Sequence, residues 1–194
     1  MPVTADDPLP PYTVCQTGNY LGWMDLLYCI EPVTCVYIGI ALALGLSILG
    51  AAWGILITGS SIMGTNIKMP FVQSKNLISV ILCEATAIYG VIIALLLAIE
   101  VGGKNIDVYQ SLDVYQAAEY AGYCYLIIGL VVGVSNLACG LCVGVLGSST
   151  VLLHAQTPTG FVSMLVVMIF GSVFGLFGLI IGIIFQTNAR WPTQ

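Results

Sequence analysis

Among the side chains able to do acid–base chemistry, Glu84 stands apart by its surroundings. It lies in the middle of residues 77–99, a run that is otherwise uncharged, and its helical neighbours at three and four residues, Val80, Ile81, Ala87 and Ile88, are all apolar. An ionisable group near a bilayer centre costs roughly 3 kcal/mol on insertion scales, so it persists where it pairs, lines a pathway or carries protons. Lys68, Lys75, Lys104 and Arg190 all fall outside the apolar runs. Three partners are left for the carboxyl: the proton itself, a hydroxyl such as Ser172 or Ser135, or a cation on another subunit. Facing lipid, the group keeps its proton; an arginine brought close favours the ionised form and expels it. Alternating those surroundings moves protons. The structural alternative is a fixed hydrogen bond to a neighbouring helix. Sodium fits less well, because a hard cation wants several oxygen ligands and the glutamine near a span, Gln186, sits at a helix end.

The remaining chemistry-bearing residues carry less. Cys139-Gly-Leu-Cys142 has the spacing of a redox motif but sits in an apolar helix with no βαβ pattern around it, which favours packing over thiol exchange. The seven cysteines are an odd number without disulfide-scaffold spacing and read mostly as small buried apolar residues. His154 reads as a solvated loop residue before Pro158, with no metal ligands near it in the sequence. A Gly-x-x-x-x-Gly-Lys-Ser/Thr loop is missing, so nucleotide hydrolysis falls to partners if it occurs at all. The chain is therefore expected to be non-catalytic, with no metal site and no cofactor other than a transported proton.

The elements that must hold Glu84 follow from composition. The 194 residues are 59% hydrophobic and 7% charged, with a mean hydropathy of +1.03, which is the profile of a multi-span membrane protein. A net charge of −5 excludes a basic nucleic-acid footprint. No basic region followed by an apolar one opens the chain, so a cleavable signal peptide is not expected. Four apolar runs, residues 37–58, 77–99, 121–146 and 161–185, each reach the roughly 20 helical residues a bilayer requires, which predicts an all-α membrane protein. The expected organisation is an amino-terminal segment 1–36, a first hairpin 37–99, an acidic connecting loop 100–120, a second hairpin 121–186 and a tail 187–194. Residues 20–30 are too short to span and contain Asp25, so they read as an interfacial helix. Lys68 and Lys75 in the first hairpin loop, set against acidic flanks elsewhere, predict cytosolic hairpin loops and luminal termini.

The chain also repeats. A shift of 88 sets Leu42, Gly45, Ser47, Leu49, Gly59, Ser60 and Ser61 on Leu130, Gly133, Ser135, Leu137, Gly147, Ser148 and Ser149. The same shift sets Leu77, Ile81, Gly90, Ile92 and Ile93 on Leu165, Ile169, Gly178, Ile180 and Ile181. One ungapped shift over two helices and their loop indicates a duplicated hairpin. Both copies enter the membrane the same way round, as parallel repeats suited to a ring. Glu84 falls on Ser172, so the two hairpins share one carboxyl. The pairs Gly50/Gly54, Gly129/Gly133 and Gly140/Gly144 have the four-residue spacing that lets helix backbones approach closely in lipid, and predict a tightly packed inner layer.

Several strings together resemble a known family. Gly50-Ala-Ala-Trp-Gly54, Ile57-Thr-Gly-Ser-Ser-Ile62, Lys75-Asn-Leu-Ile-Ser79, Cys83-Glu-Ala-Thr-Ala-Ile-Tyr-Gly90, Gly133-Val-Ser-Asn-Leu137 and Gly175-Leu-Phe-Gly178 are similar to the proteolipid subunits of the vacuolar-type proton-pumping ATPase, over residues 32–186. Among them the resemblance is to the c″ type, whose carboxyl lies in the first hairpin, where Glu84 stands. The ordinary c type carries it in the second, at the place held here by Ser172. The resemblance implies a proteolipid ring that turns against subunit a, whose arginine meets each carboxyl between two aqueous half-channels. It further implies membrane-sector and stalk subunits as partners and an endomembrane of the vacuole, lysosome, endosome or Golgi. Relatives of this type commonly begin with an additional apolar span, which residues 1–35 do not contain, and many have a second Glu where this chain has Met168. The competing reading is a non-pumping four-span scaffold or pore. It calls for a larger, cysteine-patterned loop between the second and third runs than this chain has. A stand-alone channel would need a polar stripe along some helix.

Overall fold

The computed structural model describes residues 30–67, 73–102 and 112–189. These form four helices: α1 (Pro32–Asn66), α2 (Gln73–Gly102), α3 (Leu112–Gln156) and α4 (Phe161–Asn188). Each is long and apolar enough to cross a membrane, so the described residues make an all-α membrane protein fold of four spans in two tandem hairpins. The interfacial helix expected over residues 20–30 lies, apart from Ile30, outside the described residues, as do Lys68, Lys104 and Arg190.

Local chemistry sets the helix ends. Pro32 occupies the first turn of α1, where its missing N–H would have no intrahelical acceptor in any case. At the other hairpin, Pro158 pushes Thr157 into an extended conformation, φ −138° and ψ 103°, which stops α3 after Gln156. A single 3₁₀ turn, Pro158–Gly160, then hands the chain to α4. The helices overrun the apolar runs. At 1.5 Å per residue the 45 residues of α3 reach about 67 Å, far beyond a hydrocarbon layer of about 30 Å. The connecting loop expected over residues 100–120 is accordingly helical at both ends, through Gly102 and again from Leu112. Hydropathy marks the stretch that lipid can solvate, whereas intrahelical hydrogen bonds continue into water.

The bundle is organised around α1 and α3, which run parallel and touch along their length. Pro32 meets Gly122, Gly39 meets Gly129, Gly50 meets Gly140 and Gly54 meets Gly144. A Cβ on Gly140 would lie 2.5 Å from the Gly50 carbonyl, and one on Gly144 would lie 2.5 Å from the Gly54 Cα, so only glycine fits these crossings. α2 packs on α1, and α4 packs on α3, through one repeated device. Gly90 presses on the Ser47 side chain, and 88 residues later a Cβ on Gly178 would meet Ser135 Oγ at 2.5 Å. The larger apolar core, including Val36, Ile93, Leu97, Tyr125, Ile128 and Val132, lies toward the end where α1 and α3 begin. A smaller one, Cys83, Cys139, Val143 and Met168, lies at the level of Glu84.

Candidate functional site

Glu84 is held by its buried neighbour. The buried side of α2 runs Asn76, Ser79, Cys83, Thr86, Gly90, Ile93 and Leu97, a three- and four-residue spacing made largely of small or polar residues. Cys83 is the plug at the centre of that stripe. Its sulfur lies 2.9 Å from where a Gly54 Cβ would stand, and it packs with Cys139, Val143 and Met168. Thr86 is fully buried and donates its hydroxyl to the Cys83 carbonyl at 2.7 Å, a bond internal to the helix. With Cys83 drawn into the α1–α3 seam, the next residue is rotated by about 100°. Glu84 consequently faces outward and is exposed.

Its surroundings on that face are apolar. Ile81 is 63% exposed and Ile88 54%, one turn to either side, so the carboxyl belongs to the surface a bilayer would cover. Among the described residues no hydrogen bond or ion pair reaches Glu84. The two hydroxyls considered as support are committed elsewhere within the subunit. Ser172 donates to the Ile169 carbonyl of its own helix at 2.7 Å, and Ser135 donates across to the Phe174 carbonyl of α4 at 3.0 Å. Serine in a helix readily satisfies itself on a carbonyl one turn back, and Ser135 is pinned by its contact with Gly178.

The six packing glycines, Gly50, Gly54, Gly129, Gly133, Gly140 and Gly144, are all buried, and each meets the opposite inner helix; Gly133 sits over the Leu42 carbonyl. Polar ties reinforce the seam. Thr58 donates to both Gly54 O (2.9 Å) and Gly144 O (3.2 Å), and Asn136 Nδ2 donates to Ser47 Oγ at 2.9 Å. Near the far end Gln186 donates from α4 to the Leu96 carbonyl of α2 at 3.3 Å. Thr58 and Asn136 are missed by a search for charged groups, and Cys83 reads in the sequence as one of several apolar-run cysteines. Their signal is the regular recurrence of small polar residues on one face of an apolar helix.

One reading of a single residue needs correction. His154 is not a solvated loop residue: α3 continues to Gln156, and the imidazole is buried, 5.0 Å from the Phe161 ring at 59°. The 3₁₀ turn folds Phe161 back over it. Of the described cysteines, Cys35, Cys83 and Cys139 are buried and Cys142 is exposed, the Cys139 thiol being directed at the Gly171 carbonyl, 3.5 Å away. Cys139 and Cys142 both lie within the uninterrupted α3 helix, and both are free. The described cysteines are all free, and no group of His, Cys, Asp or Glu able to hold a metal ion occurs among the described residues.

Comparison with known proteins places this geometry in a class. The model of the ATP synthase C-subunit family matches twice, over residues 38–97 and 126–185, the two matches standing 88 residues apart like the repeat itself. The chain belongs to this family of membrane proteolipids. Within it, the chain groups with the c″ subunits of V-type proton ATPases. It is 50% identical over 182 residues to the c″1 subunit of the Arabidopsis thaliana V-type proton ATPase, covering 93% of this chain and 98% of that one. It is 40% identical over 173 residues to the c″ subunit of the Saccharomyces cerevisiae enzyme (89% and 79% covered). The 16 kDa c-type proteolipid of the Homo sapiens V-type proton ATPase is 35% identical over 150 residues (77% and 89% covered).

Proposed function

We propose that this chain is a proton-carrying rotor subunit of the membrane sector of a vacuolar-type ATPase, and that Glu84 is its proton-binding group. The carrying observation is the placement of Glu84 on the outer, apolar face of α2, with no described partner in its own subunit. A carboxyl so placed is neutral against lipid and ionises only when a cation and water reach it from outside. In a ring of c-type proteolipids the arginine of subunit a would supply that cation, and rotation would carry the protonated group between two aqueous half-channels. Moving one charge against 100 mV takes about 2.3 kcal/mol. Torque from ATP hydrolysis in other subunits meets that demand, this chain contributing no nucleotide site. The hairpin loops would face the cytosol and the termini the lumen of an acidified vacuole, lysosome, endosome or Golgi compartment.

The test is chemical. A hydrophobic carbodiimide that seeks carboxyls in apolar surroundings is expected to modify Glu84 in the assembled complex and to stop proton pumping in step with labelling. Labelling of Glu100 with Glu84 untouched, or full pumping after Glu84 is labelled, would overturn the assignment and favour a non-pumping scaffold.

A further inference from the structure

His154 is the one histidine of the chain, and proton carriage by Glu84 makes no use of it. It ends the buried row Gly140, Gly144, Gly147 and Val151 on α3, whose three- and four-residue spacing continues the seam into the loop end of the bundle. The second hairpin loop folds back over it. Phe161 covers the imidazole, and Leu153 closes on Gly160, its Cδ2 2.9 Å from where a Cβ would stand. Two backbone bonds hold the turn in between: Thr157 N–H donates to the Leu153 carbonyl at 2.8 Å, and Gly160 N–H to the Thr157 carbonyl at 3.2 Å.

This seat accepts a neutral ring and rejects a cation. His154 Nδ1 is buried with no hydrogen-bond partner among the described residues. In the imidazolium both ring nitrogens carry hydrogens, so the Nδ1 hydrogen would be a buried, charged donor without an acceptor, which is costly. No acid offsets that cost. Among the described residues, the last turn of α1, the first turn of α4, the 3₁₀ turn and the rest of α3 from Val143 onward hold no charged side chain, and α2 brings only Lys75, a cation and exposed. Outside the seat the preference reverses. His154 is in the last turn of α3, where the carbonyl end of a helix favours a cation once water reaches it.

We propose that His154 under Phe161 is a pH-sensitive latch on the second hairpin loop: the neutral ring holds residues 157–161 against the end of α3, and protonation releases them. Histidine changes charge between about pH 5 and 8, so the latch is closed at the alkaline side of that range and opens as pH falls through it. The first hairpin has no counterpart, because Asn66 and Gln73 stand 88 residues before His154 and Phe161 and neither titrates. Acid therefore loosens one loop and leaves the other. The latch stands whether or not Glu84 carries protons; with the loops facing the cytosol, as proposed above, it responds to cytosolic pH.

The full-length chain, purified on a tag without histidine and reconstituted in lipid, is labelled with ¹⁵N in its imidazole, which gives the nitrogen signals of His154 alone. Its charge state is read by NMR at pH 7.5 and 5.5, alongside hydrogen exchange at the Thr157 and Gly160 amides corrected for the chemical effect of pH. A neutral ring and protected amides are expected at pH 7.5, and an imidazolium with at least tenfold faster exchange at pH 5.5. His154→Gln, polar but without a charge change, and His154→Phe, which keeps a ring, should each exchange at the same corrected rate at both pH values. Phe161→Ala, which removes the cover, should exchange fast at both. An imidazolium at pH 5.5 with the two amides still protected would overturn the proposal, as would a ring still neutral at pH 5.5 or acid loosening that persists in His154→Gln. Carbodiimide labelling of Glu84 in the same preparations reads the proton-carrying group, so a failure there is recognised separately.

Discussion

The two hairpins solve one packing problem identically and then part at the membrane surface. Gly90 on Ser47 and Gly178 on Ser135 are the same contact 88 residues apart. Yet α2 presents Glu84 between Ile81 and Ile88, while α4 presents Ser172, bonded to its own backbone, among exposed Phe170, Phe174 and Phe177. Helix packing in this fold does not require a carboxyl, since the second hairpin packs without one. Glu84 is therefore surplus to the bundle, which is the expected condition of a group kept for transport.

The largest structural effect should come from the seam the hairpins share. Gly140→Leu forces a side chain into the Gly50 backbone and is expected to cost more than about 3 kcal/mol, seen as loss of folded, detergent-stable protein. Gly64→Leu, at a glycine with nothing close to it among the described residues, should stay within about 0.5 kcal/mol of the parent.

A middle effect separates the hairpins. Gly90→Ala and Gly178→Ala should each destabilise by about 1–3 kcal/mol, measured by thermal aggregation. Only Gly90→Ala should alter the rate of carbodiimide labelling at Glu84, because only α2 carries the carboxyl. Equal changes from both would mean that the outer helices are coupled and the comparison fails.

Smaller still is Thr58→Val, which removes the cross-seam bond to Gly144 and should cost about 0.6 kcal/mol, a usual value for such bonds between membrane helices. Ser172→Ala is expected to change neither stability nor pumping, since its hydroxyl serves its own helix.

Much of this division is legible in the amino-acid sequence, and the illegible part has a physical reason. Four spans and a duplicated hairpin are readable because lipid demands long apolar runs and duplication leaves an ungapped shift. The isolation of Glu84 is readable for the same reason. Its direction is not. Outward exposure depends on Cys83 entering the seam beside Gly54, a choice between adjacent residues that a nearly uniform apolar helix does not announce. The ends of α2 and α3 escape hydropathy because helices persist into water, and the burial of His154 follows from Phe161 closing over it across a turn. Glycine spacing marks close approach, but not that Gly54 meets Gly144 while Gly45 meets nothing among the described residues.

Proton transport by the intact complex carrying Glu84→Gln, a side chain of nearly the same shape that cannot release a proton, tests the central claim most directly. Pumping is expected to fall to background while the subunit remains assembled with its partners. Acidification at the parental rate by the assembled Gln complex would contradict it.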